Sequence, residues 1–164
     1  NLCTWGNPVL PGENAAENPP ELLEKLGFDS GTSYVWIHHT PLPELQTDYF
    51  KAMEDYFVFW DKAKAEYGVP YYPNVTMGWD PSPRYIELTA NGVRNYLVTN
   101  TISNNIPENF QKVLELTKER LLADPNGPRI LNINSWNEWT EGSYIEPDVI
   151  HGMGYLKAIK KVFK

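Results

Sequence analysis

Two carboxylates, Glu138 and Glu141, stand three residues apart inside Trp136-Asn137-Glu138-Trp139-Thr140-Glu141-Gly142, with a tryptophan on each side of the first. Cleaving a glycosidic bond calls for such a set: one carboxyl group to protonate the leaving oxygen, a second to act as base or nucleophile, and flat apolar rings to hold a sugar. The preceding run, Ile130-Leu131-Asn132-Ile133-Asn134-Ser135-Trp136, alternates with period two. As a strand it puts Leu131 and Ile133 on one face and Asn132, Asn134 and Trp136 on the other, a polar face that Glu138 continues. If the chain turns helically at Glu138, an i,i+3 pair lies roughly 5–6 Å apart at Cβ, near the carboxyl separation of about 5–5.5 Å used by retaining glycosidases. A Glu-x-x-Glu pair also serves as plain favourable charge in a first helical turn. The long continuation Ser143-Tyr144-Ile145-Glu146-Pro147-Asp148 is more than capping requires.

Apolar β-rich runs alternate with helical segments along the chain, the pattern of parallel βα units. The predicted strands are Leu2 to Trp5, Thr32 to His39, Tyr71 to Met77 and Ile130 to Trp136. Between and after them come a short helix opened by Pro19-Pro20 and stopped by Gly27, a long one from about Gln46 to Tyr67 closed by Gly68, one from Pro107 to Leu122, and a last one from Gly154 to Phe163. In the second strand Val35 and Ile37 share one face and Tyr34, Trp36 and His38 the other. Aliphatic residues facing helices and aromatic or polar residues facing inward is the logic of a β/α barrel, whose site lies at the C-terminal ends of its strands. Four strands in 164 residues are half of an eight-stranded barrel, which takes about 250. The fold class expected is therefore α/β, the C-terminal half of a (β/α)8 TIM-type barrel with about four parallel strands and flanking helices, residues 1–164 forming a single domain with one core. Its unpaired edges and its inward aromatics Tyr34, Trp36 and Trp136 call for self-association, for an N-terminal half of the same barrel, or for a rearranged terminal strand, and the isolated half is expected to lack hydrolase activity.

The fifteen residues from Asn134 to Asp148 resemble the Asn-Glu-Trp-x-Glu-Gly...Glu-Pro signature of the glycosyltransferase WbsX-like proteins, relatives of glycoside hydrolase family 99, the endo-α-mannosidases. The segment Pro73-Asn74-Val75-Thr76-Met77-Gly78-Trp79-Asp80-Pro81-Ser82-Pro83-Arg84 is similar to that group's Pro-x-Val-x-x-Gly-x-Asp-x-Ser-Pro-Arg block, and Tyr34-Val35-Trp36 after Gly27-Phe28-Asp29-Ser30 fits a third. The resemblance implies a motif late in a β/α barrel. It also implies that Glu138 is a general base on the sugar's own 2-hydroxyl, giving an anhydro-sugar intermediate, that Glu141 is the general acid, and that configuration is retained. Spacing alone admits the ordinary nucleophile-plus-acid mechanism as well. Trp136, Asn137, Trp139, Tyr144 and Glu146 are the expected sugar contacts around the pair, joined by Trp36 and His38 from the second strand and by Asp80 and Arg84 from the 78–84 loop. The bland readings are core aromatics for the rings, a mutual pair across a turn for Asp80 and Arg84, and loop support for Glu146.

A net charge of −7 and a pI near 4.9 argue against nucleic acid or an anionic membrane surface, which call for basic patches. No apolar run approaches the roughly 18 residues of a membrane span and no leader precedes the first residues; the expectation is a soluble chain, cytoplasmic or periplasmic. Cys3, the one cysteine, reads as a small buried hydrophobe. His38-His39 does not read as a zinc site, because strand neighbours point to opposite faces. Without a Gly-rich phosphate loop, a cysteine cluster or a serine elbow, neither cofactor nor metal is expected. The sequon Asn74-Val75-Thr76 falls in a predicted strand and is discounted. The main reading is a retaining glycoside hydrolase acting on an α-mannoside-like glycan. The alternatives are a glycosyltransferase of polysaccharide (O-antigen-like) biosynthesis, against which the lack of an Asp-x-Asp triad weighs, and a carbohydrate-binding domain without catalysis.

Overall fold

In the computed structural model, which describes residues 1–4, 18–84 and 100–164, parallel strand segments follow one another in chain order across a three-stranded sheet and a two-stranded one that adjoins it. Strand β1 (Leu2–Cys3) lies beside β2 (Gly31–Thr32), and β2 beside β4 (Tyr71–Tyr72); beyond Pro73 the same stretch continues as β5 (Asn74–Thr76), which pairs with β7 (Asn132–Asn134). Proline has no N–H to give a ladder, but the Pro73 carbonyl still accepts from the Asn132 amide at 2.9 Å. The 71–76 stretch therefore pairs with β2 through its first half and with β7 through its second. Thr32 ties the two halves, its Oγ1 donating to the Tyr72 carbonyl (2.7 Å) and accepting from Asn132 Nδ2 (2.6 Å). A separate parallel pair joins β3 (Gln46–Asp48) to β6 (Thr101–Ser103). The parallel α/β class is as expected; among the described residues the strands do not close into a barrel.

Local signals set the helix ends. Helix α1 (Pro19–Leu26) starts where the Asn18 side chain accepts from the Glu21 amide at 3.4 Å and stops at Gly27, whose φ of 69° lets its N–H turn back to the Glu24 and Leu23 carbonyls. Helix α2 (Tyr49–Glu66) begins three residues later than expected, because Gln46–Asp48 is drawn into pairing with β6 and the Asp48 carboxylate caps Phe50 N at 2.9 Å. Helix α3 (Pro107–Ala123) packs along α4 (Gly154–Phe163), where Phe110 meets Tyr155 edge-on at 5.7 Å. The segment from Asn91 to Asn105, where the sequence pattern favours no one element, lies outside the described residues as far as 99 and beyond that contains β6, and Trp5 at the end of the first predicted strand also lies outside them. No helix among the described residues is long and apolar enough to cross a membrane.

The second predicted strand is corrected most. It ends at Thr32, and Trp36–His38 coils into a 3-10 turn. The cause is packing. Trp36 N donates to Thr76 Oγ1 (2.9 Å), its indole N–H donates to the Asn74 carbonyl (2.9 Å), and the fully buried ring stacks on Tyr49 and Tyr56 at centroid distances of 5.4 and 5.5 Å. The turn buries the indole with its one donor satisfied, which continued pairing of the strand would not provide. His38 is buried as well. Trp36 and His38 are thus withdrawn from the inward face that strand parity assigned them, and neither presents a surface to a sugar. Behind them the Tyr56 hydroxyl accepts from Asn74 N (2.9 Å) and joins the hydroxyls of Ser33 and Tyr71 in one buried cluster. The discounted sequon asparagine, Asn74, is buried inside this layer.

His39 stacks on Phe59 at 4.0 Å, and burial, with the neighbouring His38 second, holds its imidazole down to about 3. An unfolded chain takes up that proton near pH 6.5 and the folded one does not. Between about pH 6.5 and 3 the unfolded state binds more protons, so stability is full above that window and falls as pH drops through it. Urea unfolding should show a slope of at most about 1.4 kcal/mol per pH unit from this group. His39→Phe, which keeps the stack, should flatten the curve by that amount; an unchanged curve would show that His39 protonates freely in the fold.

Candidate active site

The residues after β7 fold back on themselves. Ser143, fully buried, places its hydroxyl within hydrogen-bond reach of the Asn134 carbonyl (3.1 Å) and side-chain oxygen (2.5 Å), while Ser135 Oγ donates to the Ser143 carbonyl at 2.7 Å. The amides of Ile145 and Glu146 both reach the Trp136 carbonyl at 3.1 Å. Between these anchors β8 (Asn137–Glu138) pairs antiparallel with β9 (Ser143–Tyr144), Asn137 opposite Tyr144 and Glu138 opposite Ser143. A 3-10 turn over Trp139–Glu141 closes the hairpin and ends at Gly142, whose φ is 58°. The helical turn expected at Glu138 is present, one residue later and tighter, because Glu138 itself is held in β8.

A second loop, residues 78–84, lies against this hairpin. Asp80 N donates to the Glu141 carbonyl at 2.6 Å, and the Asp80 carboxylate accepts from Ser82 N at 3.0 Å. The approach is close enough to require glycine on both sides: a Cβ on Gly78 would stand 2.7 Å from the Gly142 carbonyl and 2.4 Å from Asn105 Nδ2, and one on Gly142 would stand 2.9 Å from Asp80 Cβ. This packing delivers Arg84. Its Nη2 lies 2.9 Å from Glu141 Oε1 and 3.9 Å from Glu138 Oε2, and its Nε donates to Thr140 Oγ1 at 3.0 Å. Because one nitrogen touches both carboxylates, those two oxygens are separated by no more than the sum of the two distances, roughly 7 Å, a range that takes in the retaining spacing and the lower end of the inverting one. The pair is asymmetric: the Glu141 side chain is 8% exposed and that of Glu138 40%. Of the two sequence readings of Asp80 and Arg84, the arginine reaches the glutamates and the aspartate caps its own turn.

Tyr34 completes the cluster and was missed among the expected sugar contacts. Burial, then the negative charges of Glu141 and Glu138, push its phenol up to about 12 against the opposing effect of hydrogen bonds with the Asn134 and Ser135 side chains. At neutral pH it is an uncharged hydroxyl beside two carboxylates. The signal was available: Tyr34 shares the inward parity and the third block of the resemblance, and it stays half-exposed because the 3-10 turn begins after it.

Of the remaining expected contacts, Trp139 stacks on Tyr144 at 3.7 Å with 18° between the planes, and its indole N–H donates to Glu146 Oε2 at 2.7 Å. Glu146 therefore supports the aromatic pair from behind. Trp136, Asn137 and Trp139 are exposed on the hairpin. Glu138, Glu141 and Arg84 come together with Tyr34; Trp139, Tyr144 and Glu146 form an adjoining group on the same hairpin; Trp36 and His38 belong to the core. Among the described residues no group of three or more His, Cys, Asp or Glu side chains is arranged to hold a metal ion. Two carboxyl groups within reach of one bond, a guanidinium, a phenol and exposed aromatic rings can carry out acid–base or nucleophilic chemistry on a polyhydroxylated ligand.

Among known proteins, the family model described as Glycosyltransferase WbsX matches residues 17–159. Two curated relatives, each called Uncharacterized protein WxcX and drawn from strains B100 and ATCC 33913 of Xanthomonas campestris pv. campestris, are 35% identical to this chain over 91 residues. The match takes in 55% of this chain and 12% of each relative, so the chain spans a small part of the relatives it matches.

Proposed function

The chain belongs to the glycosyltransferase WbsX family, and from that premise we propose that it is the part of a carbohydrate-active enzyme that makes or breaks a glycosidic bond at Glu138 and Glu141. The observation that carries the proposal is the pair of carboxylates on one arginine nitrogen, with oxygens within roughly 7 Å of each other. In such a site one carboxylic acid gives its proton to the glycosidic oxygen as the bond from the anomeric carbon to that oxygen breaks. The other carboxylate either attacks the anomeric carbon or takes the proton of the sugar's 2-hydroxyl so that this oxygen attacks instead. Water or a second sugar's hydroxyl then attacks the anomeric carbon and gives its proton to the first group, while the bond to the carboxylate breaks or, in the other route, the 2-oxygen leaves and recovers its proton from the second group, giving hydrolysis or transfer. The family's description as a glycosyltransferase supports transfer as the first reading, and polysaccharide assembly is the setting we propose for it. Hydrolysis of an α-mannoside-like glycan is the second, favoured by the carboxylate spacing. Exposed Trp136 and the Trp139–Tyr144 stack are the surfaces on which sugar rings would lie, with Asn137 beside them.

The parallel strands in chain order support reading this chain as the C-terminal half of a β/α barrel. The opposing wall would then come from elsewhere in a longer protein or from a second copy. The test uses the full-length protein with candidate glycans, a hydroxyl acceptor and ¹⁸O-water, in the presence and absence of sugar nucleotides. New glycosidic bonds on the acceptor establish transfer, and ¹⁸O in the released sugar establishes hydrolysis. Saturable glycan binding with neither product would reduce the site to a binding surface, and no binding across a broad glycan panel would sink the carbohydrate reading.

A further inference from the structure

We infer that Arg84 is the positioning residue of the carboxylate pair, an internal counter-ion that fixes Glu141 in place and sets the charge that the pair carries. The inference deepens the proposed function and rests on Glu138 and Glu141 doing the chemistry. The sequence offered Arg84 as a sugar contact, yet two of its nitrogens are spent on the protein: Nη2 on both glutamates and Nε on Thr140 Oγ1. Thr140 sits between the two glutamates in the 3-10 turn, so the guanidinium grips the turn at its hydroxyl as well as at its two charges. That grip is supported from behind by the Asp80 N–H on the Glu141 carbonyl.

A cation is needed at this point. Two carboxylates sharing a small site repel, and left alone one would take up a proton. Among the described residues, the charged and titratable groups that act on the pair include Arg84 from the 78–84 loop, Tyr34 from the segment after β2, and each glutamate for the other on the hairpin. Tyr34 is neutral at ordinary pH, so Arg84 is the positive member of that set. Its two distances are unequal, 2.9 Å to Glu141 and 3.9 Å to Glu138, so it acts chiefly on Glu141, whose ionised form it favours.

The experiment is the pH dependence of kcat/KM in the full-length enzyme. With Arg84→Gln, Glu141 loses the cation 2.9 Å from its Oε1, and the limb of the profile that Glu141 governs should move up by about one to two pH units, the usual influence of an adjacent arginine. A limb that moves on the acid side marks Glu141 as base; one that moves on the alkaline side marks it as the acid that the family resemblance implies. Arg84→Lys keeps the charge and loses the fork to Thr140; its profile should stay within a few tenths of a unit while kcat falls roughly tenfold through looser positioning. If Arg84→Gln does not fold, as judged by circular dichroism, Thr140→Val takes its place, with a several-fold fall in kcat at constant KM. An unmoved profile with a raised KM in Arg84→Gln, or a raised KM alone in Thr140→Val, would overturn the inference and return Arg84 to sugar binding. Full activity in Glu138→Gln and Glu141→Gln would instead remove the reading of the pair itself, whatever Arg84 does.

Discussion

Glu138→Gln and Glu141→Gln are each expected to lower turnover of the full-length enzyme by roughly two to four orders of magnitude, the contribution of one positioned acid or base. The amide keeps the size of the side chain and can neither donate nor accept the transferred proton. The two variants should differ in their side effects. Glu138, 40% exposed at its side chain, should be replaced with no measurable change in stability. Glu141 is 8% exposed and carries the 2.9 Å contact with Arg84, so its amide leaves a half-buried guanidinium with a weaker partner and should cost on the order of 1–2 kcal/mol. Combining the two changes should cost little more turnover than either alone, since groups acting on one bond are not additive. Residual activity near the original level in the double variant would place the chemistry in another part of the protein.

Trp36→Ala and Trp136→Ala should behave as opposites. Both residues were assigned by strand parity to the same inward face, and only the first is core. Trp36 is fully buried between Tyr49 and Tyr56, and its loss also leaves the Asn74 carbonyl without the indole donor. The expected cost is about 3–5 kcal/mol, a large share of the roughly 5–15 kcal/mol that holds a domain together. Trp136 is 52% exposed, so its removal should change stability by no more than about 0.5 kcal/mol and should instead weaken glycan binding. Urea midpoints of the two variants, compared with the parent, decide the matter. Equal losses would mean that Trp36 is not the core residue its packing makes it.

Much of the fold was legible because local chemistry dictates it. Gly27 ends α1 by a left-handed cap, Pro107 opens α3, and the last helix spans Gly154–Phe163 as its apolar spacing requires. The parallel order of the strands also followed from alternating β and α runs. What parity could not reveal was the fate of Thr32 to His39, because a 3-10 turn is stabilised by the ring stack and hydrogen bonds around Trp36 that come from residues about 13 to 40 positions away. For the site, the Glu138–Glu141 spacing in the sequence already placed the two groups close together, the first ending β8 and the second ending the 3-10 turn that follows it. The partner that binds them, Arg84, lies 54 positions before Glu138. Its ion pairs depend on two glycines that let the loops touch, which no periodicity encodes.

That contact bears on how such a site can be inherited or transplanted. Gly78, Asp80, Asn105 and Gly142 interlock at the backbone: Asn105 Nδ2 donates to the Met77 carbonyl at 3.0 Å, and the Asp80 amide holds the Glu141 carbonyl. Grafted alone onto another scaffold, the fifteen-residue hairpin would keep its turn and its glutamates and lose the surface against which they are aimed. The smallest portable module is the hairpin together with the 77–84 loop and Asn105. Among homologues, a bulkier residue at position 78 or 142 should be tolerated only where its counterpart across the contact has changed in step.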